Sequence, residues 1–508
     1  MRRIFLAAFL LPALYAGAQK KSNPQPFAKS ITAENLKKQL YIVASADMEG
    51  RETATEGQRK AAAYIESQFK SLGLLPGNNG SYQMTYPVYR DSLLNTSIEV
   101  NGTSFSPGKD FYVPVNTNHS ASYRFGEVVF AGYGFSDSTR DDYKGLDVRG
   151  KLVIVIAENA PGRKEPTGNR RFFNPYVKQD AAMKNGAAAL LIVDNHINPI
   201  IPKGNMYVNG YPKTIRLNSF YISEKVAEAI LGENFANGKR ALTDSSFQGK
   251  NYPAEISLNF SKTTLNLQSS NVLGLMEGTD LKDEYVLVTA HYDHLGKKDT
   301  TIWYGADDDG SGTVSVLEIA SAFARAKAAG KGPRRSILFM TVSGEEKGLW
   351  GSDYYTQHPV YKLDKTSVDL NIDMVGRIDP GRKIGDSTNY IYIVGDDKLS
   401  TDLRTISEAV NNKEPKLELD YKYNDPRDSE FIYYRSDHFN FAKNGVPIIF
   451  YFSGLHRDYH RPTDTPDKIN YDIMKKRATL VFYTAWEMAN RDAMLKRDKP
   501  LEIPAGMR

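Results

Sequence analysis

The sequence predicts an α/β protein, with a mostly parallel or mixed central sheet flanked by helices and interrupted by a β-rich insertion. Three observations carry this. From about residue 263 onward, short apolar runs alternate with amphipathic stretches, the strand–loop–helix rhythm of a parallel sheet covered by helices. Between about 113 and 262, short strand-like runs crowd among Gly, Asn and Pro turns. Before that, two stretches carry apolar residues at helical spacing.

The elements follow in chain order. Residues 1–18, MRRIFLAAFLLPALYAGA, have a basic start, a short apolar stretch and a small-x-small ending at Ala16 and Ala18. That pattern predicts a cleaved signal peptide and export, to the periplasm or beyond the cell. The segments ENLKKQLYIVASADM and GQRKAAAYIESQFKSLGL predict helices over 33–74; Ala62, Ile65 and Phe69 share one face, and Gly73 supplies a stop. YQMTYPVY and TSIEVNG read as strands. Within 113–262, GEVVFAGYG, KLVIVIAEN and AALLIVDN read as strands, DAAMKNGAAA as one small helix, and NPIIPKGNMYVNGYP as an exposed loop. Then come the strand YVLVTA, the helix TVSVLEIASAFARA with Val316, Ile319, Ala320 and Phe323 on one side, and the strands SILFMTV, VDLNIDMV and VPIIFYF. Residues 26–112 and 263–495 are thus expected to form one discontinuous domain around an insertion at 113–262, ending in a loose Pro- and charge-rich tail at 496–508.

Composition narrows the chemistry. The chain has 508 residues, 41% hydrophobic and 25% charged, enough for a large core. Its net charge is +5, two of those charges are Arg2 and Arg3, and no dense basic tract follows. Nucleic acid and anionic membranes are therefore not expected as partners. No segment after the leader reaches transmembrane length. There is no cysteine, so the fold has no disulfide, and a metal site must be built from His, Asp and Glu.

Five polar sites end or follow the apolar runs: HYDHLG (His291, Asp293, His294), GADDDGSG (Asp307, Asp308, Asp309), SGEE (Glu345, Glu346), Asp373 in NIDMVG, and YHRPTDTPD with His460. In a parallel sheet all five gather at the carboxyl edge, where such folds bind ligands. Two like charges about 4 Å apart repel by roughly 4 kcal/mol at an effective dielectric near 20. Several carboxylates sharing that edge need protons or divalent cations, and imidazoles among carboxylates favour zinc over calcium or magnesium.

These residues resemble the zinc aminopeptidase family (metallopeptidase family twenty-eight), through AHYDHLG, GADDDGSGT, SGEEKGLWGS, NIDMVGR, SDHFNF and HRDYHRPTDT in order over 263–495, and through DMEGRETATEGQRKAAAYI nearer the start. The resemblance implies a zinc exopeptidase (phosphorylase/hydrolase-like) fold with a protease-associated insertion, two zinc ions per chain and a peptide substrate. It implies that His291 and Asp373 bind one zinc, Glu346 and His460 the other, and Asp308 bridges both, with a cis bond at Asp308–Asp309. Glu345 would be the general base that takes a proton from water and hands it to the leaving amine.

Asp293, two residues after His291, is expected to accept a proton from the ring's other nitrogen. His294 and His438 are read as packing or hydrogen-bonding residues, and His456 as a rival of His460. Tyr433 and Tyr459 are the two hydroxyls expected to stabilise an oxyanion, and Arg435 could bind a substrate carboxylate. The implied activity is release of amino-terminal residues by metal-activated water. Within the same fold, the alternatives are a glutaminyl cyclase or a carboxypeptidase or dipeptidase. Outside enzymes, the alternative is a receptor or scaffold, against which the complete ligand set argues.

Overall fold

Apolar runs that alternate faces become a sheet with helices on both sides. The computed structural model describes residues 23–161, 176–199, 203–208, 216–243 and 246–502. The expected signal peptide, 1–18, lies outside the described residues, as does the end of the tail from 503. The chain divides into two compact units, one of residues up to Thr85 together with Ser269 onward, the other of Tyr86–Gln268.

The first unit has helices α1 (Ala33–Val43), α2 (Glu56–Ser71), α3 (Gly312–Ala328), α4 (Trp350–Gln357), α5 (Leu403–Lys413), α6 (His438–Lys443) and α7 (Tyr471–Asn490). Its strands are β1 (Lys250–Met276, of which the last part belongs here), β2 (Leu281–His291), β3 (Arg335–Val342), β4 (Thr366–Ile372), β5 (Tyr390–Val394), β6 (Glu418–Asp420) and β7 (Ile448–Phe452). Their order is β6-β5-β7-β4-β2-β3-β1. The central four, β7, β4, β2 and β3, are mutually parallel, whereas β5 runs antiparallel to β7 and β1 antiparallel to β3. Every residue of β3, β4 and β7 is buried; β7 reads as an unbroken apolar run and β3 as a nearly continuous one, whereas β4 carries Asp369 and Asn371 among its apolar residues.

Side chains at period two sort onto the two faces. Val286, Val288, Ile337 and Phe339 join Leu36, Leu40, Ile65, Phe69, Phe323 and Trp486 on one face. Leu287, Leu338 and Met340 join Tyr355 and Phe441 on the other. Phe323 sits at the junction of α3 and α7, 4.9 Å from the Phe482 ring and 5.6 Å from Trp486. Helix α1 is capped by Thr32, whose side chain accepts from the Asn35 N–H. Helix α2 buries Ala62, Ile65 and Phe69 as expected and stops before Gly73, at φ +71°.

In the second unit, the early part of Lys250–Met276 pairs antiparallel with Ala121–Phe130, followed in parallel by Leu152–Ile156, Ala189–Val193 and Ser219–Ile222. Its helices include Val177–Lys184, Glu224–Leu231 and Glu233–Thr243. The sequence reading recognised only the first of these, as its one small helix. The unit begins at 86 and ends at 268, not at 113 and 262. The long strands Gln83–Val100 and Lys250–Met276 run through both observed boundaries without a turn signal. Within the expected loop at 197–213, Lys203–Val208 is a strand paired with residues 88–92. The tail is tied down as far as it is described: Leu495 is buried, and Arg497 donates to the carbonyls of Leu363 and Thr366. Among the described residues no helix is long and apolar enough to cross a membrane.

Candidate metal centre

Four parallel strands deliver side chains to one edge. His291 is the last residue of β2, and Asp373 follows β4 directly. After β3, the chain turns through Gly344, at φ +75°, into a single 3₁₀ turn bearing Glu345 and Glu346. Glycine is required a little further on: a Cβ on Gly351 would lie 2.3 Å from Asn271 Oδ1 and from the Ser343 carbonyl. His460 lies in the loop after β7, and Asp308 in the loop that leads into α3.

The DDD run shows how local bonding separates three identical side chains. Asp307 Oδ1 accepts from the Gly376 N–H at 2.6 Å, and its Oδ2 faces His456 Nε2 at 3.2 Å. Asp309 Oδ1 accepts from the N–H groups of Gly312 and Met374. Asp308 is left to the centre, and its bond to Asp309 is cis. Asp464 Oδ2 accepts from the N–H groups of Asp307 and Asp308 at 2.9 and 3.2 Å, anchoring the loop from below.

The two oxygens of Asp308 face different partners. Oδ1 is 3.3 Å from His291 Nε2, and Oδ2 is 3.1 Å from His460 Nε2. Asp373 Oδ1 lies 3.7 Å from His291 Nε2, and Glu346 Oε2 3.1 Å from His460 Nε2. His294 also reaches the second group: its Nδ1 is 2.7 Å from Glu346 Oε1 and 3.8 Å from Asp308 Oδ2. Hence His291, Asp308 and Asp373 form one set of donor atoms, and His294, Asp308 and Glu346, joined by His460, a second. His291 Nε2 and Asp308 Oδ2 are buried without a hydrogen-bond partner, a costly condition unless a cation takes them. Imidazole and carboxylate donors in this arrangement fit zinc.

The electrostatics agree. Burial opposes charge on His460, but Asp308 and Glu346 outweigh it and raise its pKa to about 10, so this point favours a positive charge. Burial pushes the Glu345 carboxyl well up, and Glu346, Asp373 and Asp437 push it further against the pull of His291. Glu345 Oε2 stands 3.8 Å from His291 Nε2, beside the donor sets.

A cleft of about 320 Å³ opens onto Asp308, Glu345 and Asp373. Met374, Ile432, Phe450, Phe452 and Leu455 form its apolar wall, with Arg435 and Tyr459 at its polar side. The Tyr459 ring stacks on His460 at 3.8 Å, and its hydroxyl accepts from Arg435 Nη2 at 3.0 Å.

Thus the structure brings together His291, Asp308, Glu345, Glu346, Asp373, His460 and Tyr459. Tyr433 is not among them: it is fully buried, against Tyr434, His438 and Phe439, and does not line the cleft. Three residues before the Ser-Asp-His run, the chain is a short 3₁₀ turn that points this ring into the aromatic core. Asp293 is close but bonded otherwise than expected. His291 Nδ1 donates to the Asp293 carbonyl at 3.1 Å, while the carboxylate is 3.7 Å away. That carboxylate instead accepts from Thr53 Oγ1 at 2.6 Å and from the Glu345 N–H at 3.2 Å.

The sequence reading missed Arg51, which is fully buried beneath the acidic groups. Its guanidinium donates to the carbonyls of Val43, Tyr292, Tyr304 and Gly305 at 2.7–2.9 Å. Burial lowers its pKa to about 10 while Asp293, Asp308, Asp309 and Asp464 hold it up, so it stays charged at neutral pH.

Fold and site together define the class: an α/β protein with a buried histidine–carboxylate cluster at the carboxyl edge of a parallel sheet core. Residues 271–485 match the model of Peptidase family M28. Aminopeptidase YwaD of Bacillus subtilis (strain 168) is 24% identical over 469 residues, covering 90% of this chain and 84% of that protein. A vacuolar membrane protease of Lodderomyces elongisporus is 31% identical over 150 residues, 30% of this chain; the match spans only 14% of the fungal protein. The solved structure of BSAP, described as a zinc aminopeptidase from Bacillus subtilis, superimposes with a TM-score of 0.53 at 21% identity, covering 92% of this chain and 98% of that one.

Proposed function

We propose that the chain is a zinc-dependent aminopeptidase that holds two zinc ions and releases amino-terminal residues from peptides. The observation that carries this reading is the division of Asp308, one carboxylate oxygen facing His291 and the other His460. His291 and Asp373 would hold one ion, Glu346 and His460 the other. His294 is close enough to fix Glu346 from the far side. When bound, zinc supplies Lewis acidity, which polarises a scissile carbonyl and makes a nearby water easier to deprotonate.

The chain's own residues do the rest. Glu345, its carboxyl raised in pKa, accepts the water's proton and returns it to the leaving amine. Asp293 holds Glu345 through its backbone N–H. The Tyr459 hydroxyl, oriented by Arg435, is placed to donate to the oxygen that gains charge. Met374, Ile432, Phe450 and Phe452 offer the substrate side chain an apolar surface and exclude water from it. The relatives described as aminopeptidases support hydrolysis at the amino end, and two complete donor sets favour it over a glutaminyl cyclase or a receptor. We further read Tyr86–Gln268 as a protease-associated insertion and the leader as directing export.

Zinc content and hydrolysis of aminoacyl chromogenic amides, before and after a chelator, test the assignment. Glu345→Gln should keep its zinc and lose about 10²–10⁴-fold in kcat. Turnover equal to the parent's would exclude Glu345 as the base.

A further inference from the structure

Below Asp373, a line of buried polar side chains runs back into the sheet, and none of them has been given a part so far. Asp369, Asn371 and Asp373 share one face of the chain along and just beyond β4, because Leu370 and Ile372 take the other. Thr289 of β2 is the register partner of Asn371. Its hydroxyl lies 2.8 Å from Asp369 Oδ1 and 3.0 Å from Asn371 Oδ1. Asn371 Nδ2 donates to Ser436 Oγ at 2.9 Å, and the Ser436 hydroxyl hydrogen-bonds the Asp373 carboxylate. Asp369, Thr289, Asn371 and Ser436 are all sealed from solvent.

Proton counting gives this chain a direction. Thr289 stands between two acceptor oxygens and owns one proton. With a proton on Asp369, Asp369 donates to Thr289, Thr289 to Asn371, Asn371 to Ser436, and Ser436 to Asp373. With Asp369 ionised, Thr289 must donate to it. The Asn371 amide then turns to donate to Thr289, its oxygen takes the Ser436 proton, and Asp373 loses a donor. We propose that Asp369 is a positioning residue for Asp373, acting through Thr289, Asn371 and Ser436, and that its proton decides whether Ser436 orients that carboxylate for zinc. This rests on the reading of Asp373 as a zinc ligand.

The surroundings favour the protonated state at neutral pH. The groups that face Asp369 are Thr289 from β2, the apolar Ile448 from β7, Tyr355 from α4 and Asp437 from the turn before α6. Among the described residues it has no ion-pair partner, and its Oδ2 has no hydrogen-bond partner. Burial raises its pKa to about 8, with a small push from Asp437 against the Thr289 bond.

The test is zinc affinity, measured by competition with a chromogenic chelator on either side of that titration, near pH 6.5 and near pH 9. Asp369→Asn carries a permanent donor toward Thr289. Relative to this variant, the parent should lose about 10-fold in affinity between the two pH values, the lower end of what a lost carboxylate-orienting bond costs. A parent-to-variant ratio that does not change with pH overturns the proposal. Thr289→Val, close in shape and unable to relay, should weaken zinc binding at both pH values and remove the pH-dependent difference; parent-like affinity there also refutes it. Ser436→Ala supplies the same comparison if either variant folds poorly. Asp373→Ala separates the two readings: if the variant still binds both zinc ions with the parent's affinity, the ligand assignment is wrong and the relay falls with it.

Discussion

Arg51→Lys keeps the buried charge and removes the fork. The parent guanidinium bonds four carbonyls, from α1 (Val43), the end of β2 (Tyr292) and the loop before Asp308 (Tyr304, Gly305). A lysine ammonium has three donors at a single point and cannot span acceptors on three segments. If it keeps two of the four bonds, the loss is two hydrogen bonds to a charged donor, about 1.5–3 kcal/mol each, or about 3–6 kcal/mol in all. That is a large share of a typical domain stability of about 5–15 kcal/mol. Urea unfolding followed by tryptophan fluorescence reads it cleanly, because all three tryptophans, Trp303, Trp350 and Trp486, lie in the unit that carries the site. The deficit should grow after chelation, when the carboxylates of Asp308, Asp309 and Asp464 lose a neighbouring metal charge and lean more on Arg51. A Lys variant within about 1 kcal/mol of the parent, with and without chelator, would refute the view that Arg51 ties these segments together.

Tyr459→Phe should lower kcat about 10²-fold or more with little change in zinc content, whereas Tyr433→Phe should leave kcat near the parent's; steady-state kinetics of both variants decides it. Asp369 titrates higher in the folded state, about 8, than its usual 3.8, so its contribution to stability is full below about pH 4 and is lost as pH rises through about 8. Asp369→Asn should therefore flatten the decline of stability over that range, which urea midpoints at several pH values will show. Phe323→Ala should cost about 3–5 kcal/mol by the same unfolding assay, since it empties the contact between α3 and α7.

Strands ending in carboxylates and histidines were legible in the sequence because apolar runs and polar ends are local patterns. The parallel core, one buried face of α2 and of α3, and the gathering of His291, Asp308, Glu346, Asp373 and His460 follow from them. Tyr433 went astray because a ring's direction depends on the turn that carries it, and a short 3₁₀ turn between polar residues leaves no periodic trace. Asp293 was placed correctly, but its partner was misassigned: spacing along the chain says that a carboxylate is near His291, not that Thr53 and the Glu345 N–H will reach it first. Arg51 gave no signal because its acceptors are backbone carbonyls, which every residue possesses. The relay from Asp369 was hidden for a similar reason. Asp369 and Asn371 stand as lone polar letters in a strand, and only the pairing of β2 with β4 sets Thr289 beside them.

The residues that build the centre are drawn from Arg51 and Thr53 at one end of the chain's order to His460 and Asp464 at the other. No contiguous stretch of the polypeptide therefore owns the chemistry. A ribosome must release nearly the whole span before the acidic edge acquires its last imidazole. A centre that exists only when distant parts of the chain have met stays unassembled until synthesis is nearly complete, a consequence of the order of the residues alone.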